Sequence, residues 1–319
     1  MIKASEEAPL DLKPSDPNGA RLSKDEIIGN SFIFLFAGHE TSANSIHFSI
    51  VQLAISLLDQ RKMQADIDGI VGSKPASEWS YQRDMPRLYN SMVGAVLNEE
   101  LRIIPAIPAV GKHANGDHLV HMDGRQFVIP KHTMVHLNVV GTNRNPRYWP
   151  TVPSKISGKP HDMDDFVPAR WLPANRSAQS EKEKPETEVA PVDGLENASF
   201  ESSSSTSLVK PPKGAFISFS EGARACPGRR FAQVEITAVL AAIFQKYSVE
   251  LDVSQWASDE DVAQMNVAEK RRLYHTAMDN ARAVVRRFEQ NITIQLKKGD
   301  KLPIRFVERG SERFAGLFS

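Results

Sequence analysis

The chain of 319 residues contains a single cysteine, Cys226. One cysteine cannot form a disulfide within the chain, so the fold must be stabilised by an apolar core and not by cross-links. Hydrophobic residues make up 41% of the chain, which allows such a core. Basic and acidic residues number 39 each, and this balance disfavours a protein held on nucleic acid by its overall charge. The cysteine is therefore inert, reactive or a metal ligand.

The residues around the cysteine read Phe219-Ser220-Glu221-Gly222-Ala223-Arg224-Ala225-Cys226-Pro227-Gly228. Arg224, the backbone N–H groups of such a loop and the N-terminus of a following helix would all favour a thiolate over a thiol. Gly222 and Gly228 allow a tight turn and a close approach of the backbone to a flat ligand. An isolated cysteine is more often a buried structural residue, but this pattern indicates a metal ligand.

A second segment, Ala37 to Ser42, lies inside a predicted long helix. An acid beside a hydroxyl, Glu40 and Thr41, is costly within an apolar helix. The hydroxyl can enter the backbone hydrogen bonds and widen a turn, and the acid can pass protons. Taken alone, the segment is equally consistent with a Thr41 bonded to the preceding turn and a Glu40 that faces solvent.

A third pattern, Glu99-Glu100-Leu101-Arg102, places an acid and a base on one helix face. Such pairs are common on solvated helices and carry little information alone. The segment Phe166-Val167-Pro168-Ala169-Arg170-Trp171 follows it. The spacing alone pairs only Glu99 with Arg102.

These segments, in this order, resemble the motifs of the cytochrome P450 family. The family's haem-binding loop is F-x-x-G-x-R-x-C-x-G, its oxygen-activation helix carries A/G-G-x-D/E-T, and E-x-x-R and F-x-P-E-R-W lie between them. The turn at Ile129-Pro130-Lys131 resembles the family's "IPKG" turn, and the resemblance extends from about Ser23 to Val307. In the family, the arginine of F-x-P-E-R-W joins the E-x-x-R pair, so the resemblance implies a buried, bidentate network of Glu99, Arg102 and Arg170. Ala169 stands where the pattern has Glu, and His132 where it has Gly.

The resemblance implies haem b as the cofactor, with Cys226 as the axial thiolate ligand. The implied cofactor-binding residues are Cys226, Arg224, Phe219, Gly222, Gly228 and Lys112, the last where relatives often have a propionate-binding arginine. The implied catalytic residues are Glu40, Thr41 and Gly38, with Gly38 clearing space at the iron and the other two delivering protons. The implied reaction inserts one oxygen atom of dioxygen into a small apolar substrate, with electrons from NADPH through a flavoprotein reductase.

Two other functions stay open. One is a truncated, non-catalytic fragment that cannot bind haem productively. The other is a haem-thiolate enzyme of the same fold with non-oxygenase chemistry, against which Glu40 and Thr41 argue. The sequence does not identify the substrate, the product or the oligomeric state.

The predicted fold is mainly α with a small antiparallel β-sheet, a cytochrome P450 fold that is truncated at its N-terminus. The predicted organisation is a disordered or linker N-terminus over 1–22 and a partial domain over 23–319, with a disordered insertion over 172–214 and a helical insertion over 252–290. No signal peptide or membrane-spanning run is recognised, so we expect this chain to be soluble. The resemblance implies the cytosolic face of the endoplasmic reticulum membrane, reached through a missing N-terminal anchor.

Periodicity predicts the elements. The predicted helices are a buried one from Ser23 to about Leu58, followed by Arg61–Val71, Leu88–Ile104, Arg229–Lys246 and a solvated, basic one over Val267–Gln290. The predicted hairpins are 118–122 with 126–129 around Asp123-Gly124, and 292–296 with 302–307 around Gly299.

Overall fold

A computed structural model describes residues 22–173, 207–290 and 293–317. In these ranges the chain is mainly helical with small two-stranded antiparallel sheets, in agreement with the predicted class. The α-helices are α1 Lys24–Ile55, α2 Leu57–Val71, α3 Asp84–Tyr89, α4 Met92–Ile103, α5 Val139–Asn143, α6 Arg229–Lys246, α7 Asp259–Gln264 and α8 Val267–Val285. The strands are β1 Ala109–His113, β2 His118–Met122, β3 Arg125–Ile129, β4 Met134–Asn138, β5 Tyr247–Leu251, β6 Glu289–Gln290, β7 Ile294–Gln295 and β8 Ile304–Glu308.

Helix α1 differs between its two halves. Its start carries the predicted capping box, in which the Ser23 hydroxyl accepts the Glu26 N–H and the Glu26 carboxylate accepts the Ser23 N–H. From Ser42 onwards the helix is largely buried. In the first half, six large apolar residues are each 45–74% exposed. They are Ile28, Phe32, Ile33, Phe34, Leu35 and Phe36. The prediction of a helix buried along its whole length is therefore wrong for this half, which no other described segment covers.

Helix α1 ends earlier than predicted. The break lies at Ser56, two residues before the expected limit at Leu58. The Ser56 hydroxyl donates to the Asp59 carboxylate at 2.7 Å, within the first turn of α2. Because α2 then begins at Leu57, the second helix is longer than the predicted Arg61–Val71.

The predicted helix Leu88–Ile104 corresponds to α4, which begins four residues later, at Met92; Leu88 and Tyr89 belong to the preceding short helix α3. Helix α3 ends at Tyr89, and the Ser91 hydroxyl caps α4 by accepting an N–H of its first turn at 3.2 Å. Gly94 lets α4 pass close to the end of α3, since an added Cβ would lie 1.8 Å from the Tyr89 carbonyl oxygen. Almost every residue of α4 is buried, so this short helix is the centre of the core.

The predicted hairpin of β2 and β3 is confirmed, with His118 opposite Ile129. Asp123 and Gly124 both have positive φ, 48° and 74°, as a two-residue turn of this kind requires. Strands β1 and β4 form a second antiparallel pair. Helix α6 spans Arg229–Lys246, the predicted range.

The predicted C-terminal hairpin is wrong in its pairing. Strand β8 does not pair with its neighbour β7 but with β5, where Tyr247 lies opposite Glu308. Strand β7 pairs with β6. Gly299 does turn the chain, with φ of 93°. Strand β5 is buried at all but its first residue, so its backbone groups need partners, and β8 supplies them.

Helix α8 packs on the core and is not solvated on all sides. The Tyr274 hydroxyl donates to the Ala54 carbonyl at 2.7 Å and accepts the Leu251 N–H at 3.1 Å, which ties α8 to α1 and β5. Its predicted extension to Gln290 is also too long, because the helix ends at Val285. The status of 252–290 as an insertion stays a prediction.

The other predicted insertion, 172–214, lies mostly outside the described residues, as does nearly all of the predicted linker. Its C-terminal flank is packed, because Leu208 is buried and the Val209 N–H donates to the Trp171 carbonyl at 2.8 Å. Among the described helices, none combines the length and apolar character needed to cross a bilayer.

Candidate haem-thiolate site

The loop ahead of α6 exposes the thiol of Cys226. The Cys226 N–H donates to the Phe219 carbonyl at 2.8 Å, which closes the loop on itself. Gly222 has φ of 78°, a conformation that side chains rarely adopt, and starts a short 3₁₀ turn that ends at Arg224. An added Cβ on Gly228 would contact the Cys226 sulfur at 3.8 Å. The loop therefore presents one sulfur on an open backbone surface.

Helix α6 begins directly after this loop. The Ala232 N–H donates to the Gly228 carbonyl at 2.9 Å, so the helix is formed from its first turn. The unsatisfied N–H groups of an 18-residue helix give its N-terminus a partial positive charge that favours an anion such as a thiolate. The Arg229 guanidinium also lies 5.7 Å from the Phe219 ring centroid, within cation–π range.

Asn143, at the end of α5, fixes the loop to the core. Its side chain accepts the Ile217 N–H at 2.9 Å and donates to the Ser218 hydroxyl at 2.8 Å. The Ser218 hydroxyl donates in turn to the Leu101 carbonyl of α4 at 2.9 Å. Asn143 is fully buried. Sequence reasoning missed it, because a polar residue in a five-residue helix carries no signal without the fold.

The structure brings Glu99, Arg102 and Arg170 together in the core. Arg102 donates to both carboxylate oxygens of Glu99 at 2.8 Å, and Arg170 Nε donates to Oε1 at 3.0 Å. The Val167 N–H and the Trp171 indole N–H donate to the same carboxylate at 2.9 Å each. Five donors therefore saturate one buried acid. The sequence patterns indicated the three charged members but not the two neutral donors.

The electrostatics of the network follow from these bonds. Burial alone would raise the pKa of Glu99, but the charges of Arg102 and Arg170 outweigh it and lower the pKa to about 2. Arg170 also donates to the Asp162 carboxylate at 3.0 Å, and Arg102 donates to the Met163 carbonyl at 2.8 Å. Asp162 is a further member that the sequence did not reveal.

Glu100, the next residue, is equally buried but has a different environment. Neither of its carboxylate oxygens has a hydrogen-bond partner of acceptable geometry. Burial raises the pKa of Glu100 well above its usual range, and the nearby Ser45 hydroxyl opposes this only in part. The neutral acid is the favoured form.

The segment with Gly38, Glu40 and Thr41 lies where α1 passes from its exposed half to its buried half. The Thr41 hydroxyl donates to the Ala37 carbonyl at 2.8 Å, and α1 is a continuous α-helix here. This is the local bond weighed as the alternative for Thr41, and the widened turn is not formed. A Cβ placed on Gly38 would meet no atom within 4 Å, so the surface above it is open.

Glu40 does not face solvent freely. Its Oε1 accepts hydrogen bonds from Gln295 Nε2 at 2.9 Å and from the Thr293 hydroxyl at 3.1 Å. Asn44, one turn further along α1, donates to the same Thr293 hydroxyl at 2.5 Å. Sequence reasoning missed these three residues, because two of them lie about 250 positions from Glu40.

The remaining predicted residues lie on separate elements. Lys112 is half-buried on β1, opposite Val135 of β4. Arg224 is exposed in the cysteine loop. Their roles as ligands of an acidic group stay predictions.

A family model described as Cytochrome P450 matches residues 7–275 of the chain. The chain belongs to the cytochrome P450 family. It is 31% identical to a cytochrome P450 monooxygenase of Arthrobotrys oligospora, over 90% of this chain and 43% of that protein. It is 28% identical to one of Postia placenta, over 76% and 38%, and 27% identical to one of Penicillium roqueforti, over 72% and 36%. The chain thus spans less than half the length of these curated relatives.

The cytochrome P450 family implies haem with a cysteine thiolate ligand, and the residues present fit this group. The chain has only one cysteine, and its thiol is exposed. No group of three or more His, Cys, Asp or Glu side chains within the described ranges could hold a metal ion by itself. A single thiol suits a metal whose other ligands come from a macrocycle.

Proposed function

We propose that Cys226 would supply the thiolate ligand of haem in a monooxygenase that inserts one oxygen atom of dioxygen into an apolar organic substrate. One observation carries the proposal: the lone thiol is exposed at the N-terminus of α6, on a loop that Asn143 ties to the core. The names of the relatives from Arthrobotrys oligospora and Postia placenta support the class of reaction.

The chain's own residues would hold the cofactor as follows. When bound, haem supplies the oxygen chemistry. Cys226 supplies an anionic sulfur, stabilised by the N-terminus of α6. Arg224 and Lys112 would bind the carboxylates at the edge of the macrocycle through charge-assisted hydrogen bonds. Gly38 leaves space on the side of α1.

Glu40 and Thr41 are assigned to proton delivery. Glu40 takes a proton from solvent at its carboxylate and passes it to the Thr41 hydroxyl oxygen as that hydroxyl gives its own hydrogen to the open space above Gly38. The Thr41 hydroxyl donates to the Ala37 carbonyl in this structure. It must leave that acceptor when it donates towards this space, so rotation of the Thr41 side chain is part of the proposed step.

The proposed partners rest on the family resemblance. NADPH would supply electrons through a flavoprotein reductase. Basic residues near the cysteine loop, Lys210, Lys213, Arg229 and Arg230, could attract an acidic partner. The proposed location is the cytosolic face of the endoplasmic reticulum membrane.

The test is the difference spectrum of the reduced protein with carbon monoxide. The wild-type protein should give a red-shifted, thiolate-type Soret band, and Cys226→Ala should abolish it. The matched control is the double variant Cys226→Ala with Ala225→Cys, which keeps a thiol in the loop but moves it by one residue. A thiolate-type band that survives in Cys226→Ala would refute the assignment of Cys226.

A second candidate is a chain that does not retain haem by itself. The observation in its favour is the exposed apolar surface on the first half of α1, including Phe32 and Leu35. In that case the wild-type chain would show no haem absorbance after reconstitution and desalting, and the Cys226 variants would be indistinguishable from it.

A further inference from the structure

We propose that Thr293 and Gln295 position the Glu40 carboxylate so that Oε2, and not Oε1, is the oxygen that takes up and releases protons. Asn44 sets the direction of the Thr293 hydroxyl. The inference rests on the proposed oxygenase function, because proton delivery is the role assigned there to Glu40. We refer to Asn44, Thr293 and Gln295 as the Glu40 clamp.

The hydrogen bonds of the clamp run in one direction. A threonine hydroxyl has one hydrogen to donate. Asn44 Nδ2 donates to the Thr293 oxygen at 2.5 Å, so the Thr293 hydrogen is available for Glu40, whose Oε1 lies 3.1 Å away. Because Asn44 Nδ2 is a donor, the Thr293 oxygen must accept this bond. The Thr293 hydroxyl therefore does not point its own hydrogen at Asn44. The Thr293 hydroxyl is therefore a fixed donor.

Both donors of the clamp converge on one oxygen. Gln295 Nε2 donates to Glu40 Oε1 at 2.9 Å, beside the bond from Thr293. A carboxylate oxygen that accepts two hydrogen bonds holds its charge more tightly and is the poorer site for a proton. Neither donor uses Oε2. A proton exchanged with the surroundings is thereby directed to Oε2.

The segment that carries the two donors to Glu40 is itself held in place. Gln295 lies on β7, and Thr293 immediately precedes it. Thr293 is fully buried, and the N–H of Ile294 donates to the carbonyl of Ala106, just after α4, at 3.1 Å. On its other side β7 pairs with β6. Donors on a strand that is fixed at two edges can hold a carboxylate in one orientation, which a solvated side chain would not maintain.

The first experiment measures, in the protein without haem, how much the hydrogen bond between Thr293 and Glu40 stabilises the fold. Unfolding equilibrium constants are measured for Glu40→Met, which removes the acceptor oxygens, for Thr293→Val and for the double variant, with Thr293→Ser as the control that retains the hydroxyl. If Thr293 donates to the Glu40 carboxylate, the two effects are non-additive by about three- to tenfold in the unfolding constant, the scale of one hydrogen bond. Additive effects, or a Thr293→Ser variant as destabilised as Thr293→Val, would overturn the clamp.

The second experiment uses the haem-loaded protein with NADPH and its reductase, and measures hydrogen peroxide released per NADPH oxidised. Poor proton delivery sends reducing equivalents to peroxide, so Thr293→Val and Gln295→Met should raise this ratio several-fold. Thr293→Ser should restore it, and Thr293→Val should add nothing in a Glu40→Gln background.

The outcomes separate the two proposals. A wild-type protein that gives no thiolate-type Soret band and oxidises no NADPH with the reductase refutes the proposed function, whatever the unfolding experiment shows for the clamp. A wild-type protein that gives the band and oxidises NADPH, while both clamp variants keep the wild-type peroxide ratio, refutes the positioning role alone.

Discussion

Two neighbouring acids on α4, Glu99 and Glu100, are both fully buried, yet their environments are opposite. Glu99 accepts hydrogen bonds from two guanidinium groups, an indole and a backbone N–H. Glu100, on another face of the same helix, has no charged partner, and only the Ser45 hydroxyl acts on its carboxylate, without a hydrogen bond of acceptable geometry. The pKa of the first is lowered to about 2, and the pKa of the second is raised. Burial alone therefore does not determine the charge of a core acid; its partners do.

The two acids affect stability with opposite dependence on pH. Glu99 has a folded pKa below its unfolded value near 4.5, so its stabilisation is present above that value and is lost as the pH falls towards 2. A shift of this size corresponds to about 3 kcal/mol. Glu100 has a raised folded pKa, so its contribution is most favourable below about 4.5 and is lost as the pH rises.

The hydrogen-bonded network around Glu99 on α4 also supports the candidate haem site. The Trp171 indole that donates to Glu99 packs edge-on against Phe216, with ring centroids 5.2 Å apart. Phe216 lies three residues before Phe219, which accepts the Cys226 N–H. The network thus reaches the cysteine loop through one aromatic contact. The Glu100 side has no such link among the described contacts.

The largest expected effect on stability comes from removing one of the two arginines that pair with Glu99. Arg102→Met leaves Glu99 buried with one guanidinium fewer, so the free energy of unfolding should fall by about 3 to 5 kcal/mol in urea denaturation. The matched control is Arg147→Met, whose ion pair with Asp123 is exposed, and which should cost less than about 1 kcal/mol. Equal effects in the two variants would contradict the account of Glu99.

A smaller effect is expected from a single neutral donor. Trp171→Phe keeps an aromatic ring but removes the bond to Glu99, and should cost about 1.5 to 3 kcal/mol, the range for a hydrogen bond to a charged group. Trp149→Phe is the matched control, because the Trp149 indole N–H is buried without a partner. If Trp149→Phe costs as much as Trp171→Phe, the loss reflects ring size and not the bond.

Local sequence patterns predicted several elements of the fold correctly. The hairpin at Asp123-Gly124 and the helix Arg229–Lys246 follow from local turn chemistry and periodicity, and both are present as predicted. The Glu99–Arg102 pair lies within one turn of α4, so its spacing indicated the contact. Arg170 was added only through the motif resemblance, because its bond to Glu99 spans 71 residues.

The features that sequence reasoning missed are non-local. The donors to Glu40 come from β7 and from Thr293 just before it, and the strand partner of β5 comes from the end of the chain. Glu100 could not be distinguished from a solvated acid, since only the packing of α4 shows that it has no partner. Local pattern predicts an element and one of its faces, whereas the partner of a polar group depends on segments that meet only in the fold.

The smallest expected effect sharpens the comparison between the two acids. Glu100→Gln keeps the size of the side chain but removes its ionisation. At pH 8 the variant should be more stable than the wild type, by on the order of 1 kcal/mol. The folded wild type must either bury a charged carboxylate or keep a proton that the unfolded chain releases at this pH, and the variant has neither cost. Below about pH 4 the wild-type acid is protonated in both states, so the difference should vanish. Urea midpoints measured from pH 4 to pH 8 give the slope.

Glu99→Gln is the matched control for this slope, since it makes the same chemical change at the neighbouring position. It should destabilise the protein most near pH 7 and progressively less as the pH falls towards 2, because only the charged form of Glu99 benefits from its two arginines. The two variants therefore change the pH dependence of stability in opposite directions. If both variants destabilised the protein in parallel across this range, Glu100 would have to be ionised and paired in solution, and the contrast between the two acids would not hold.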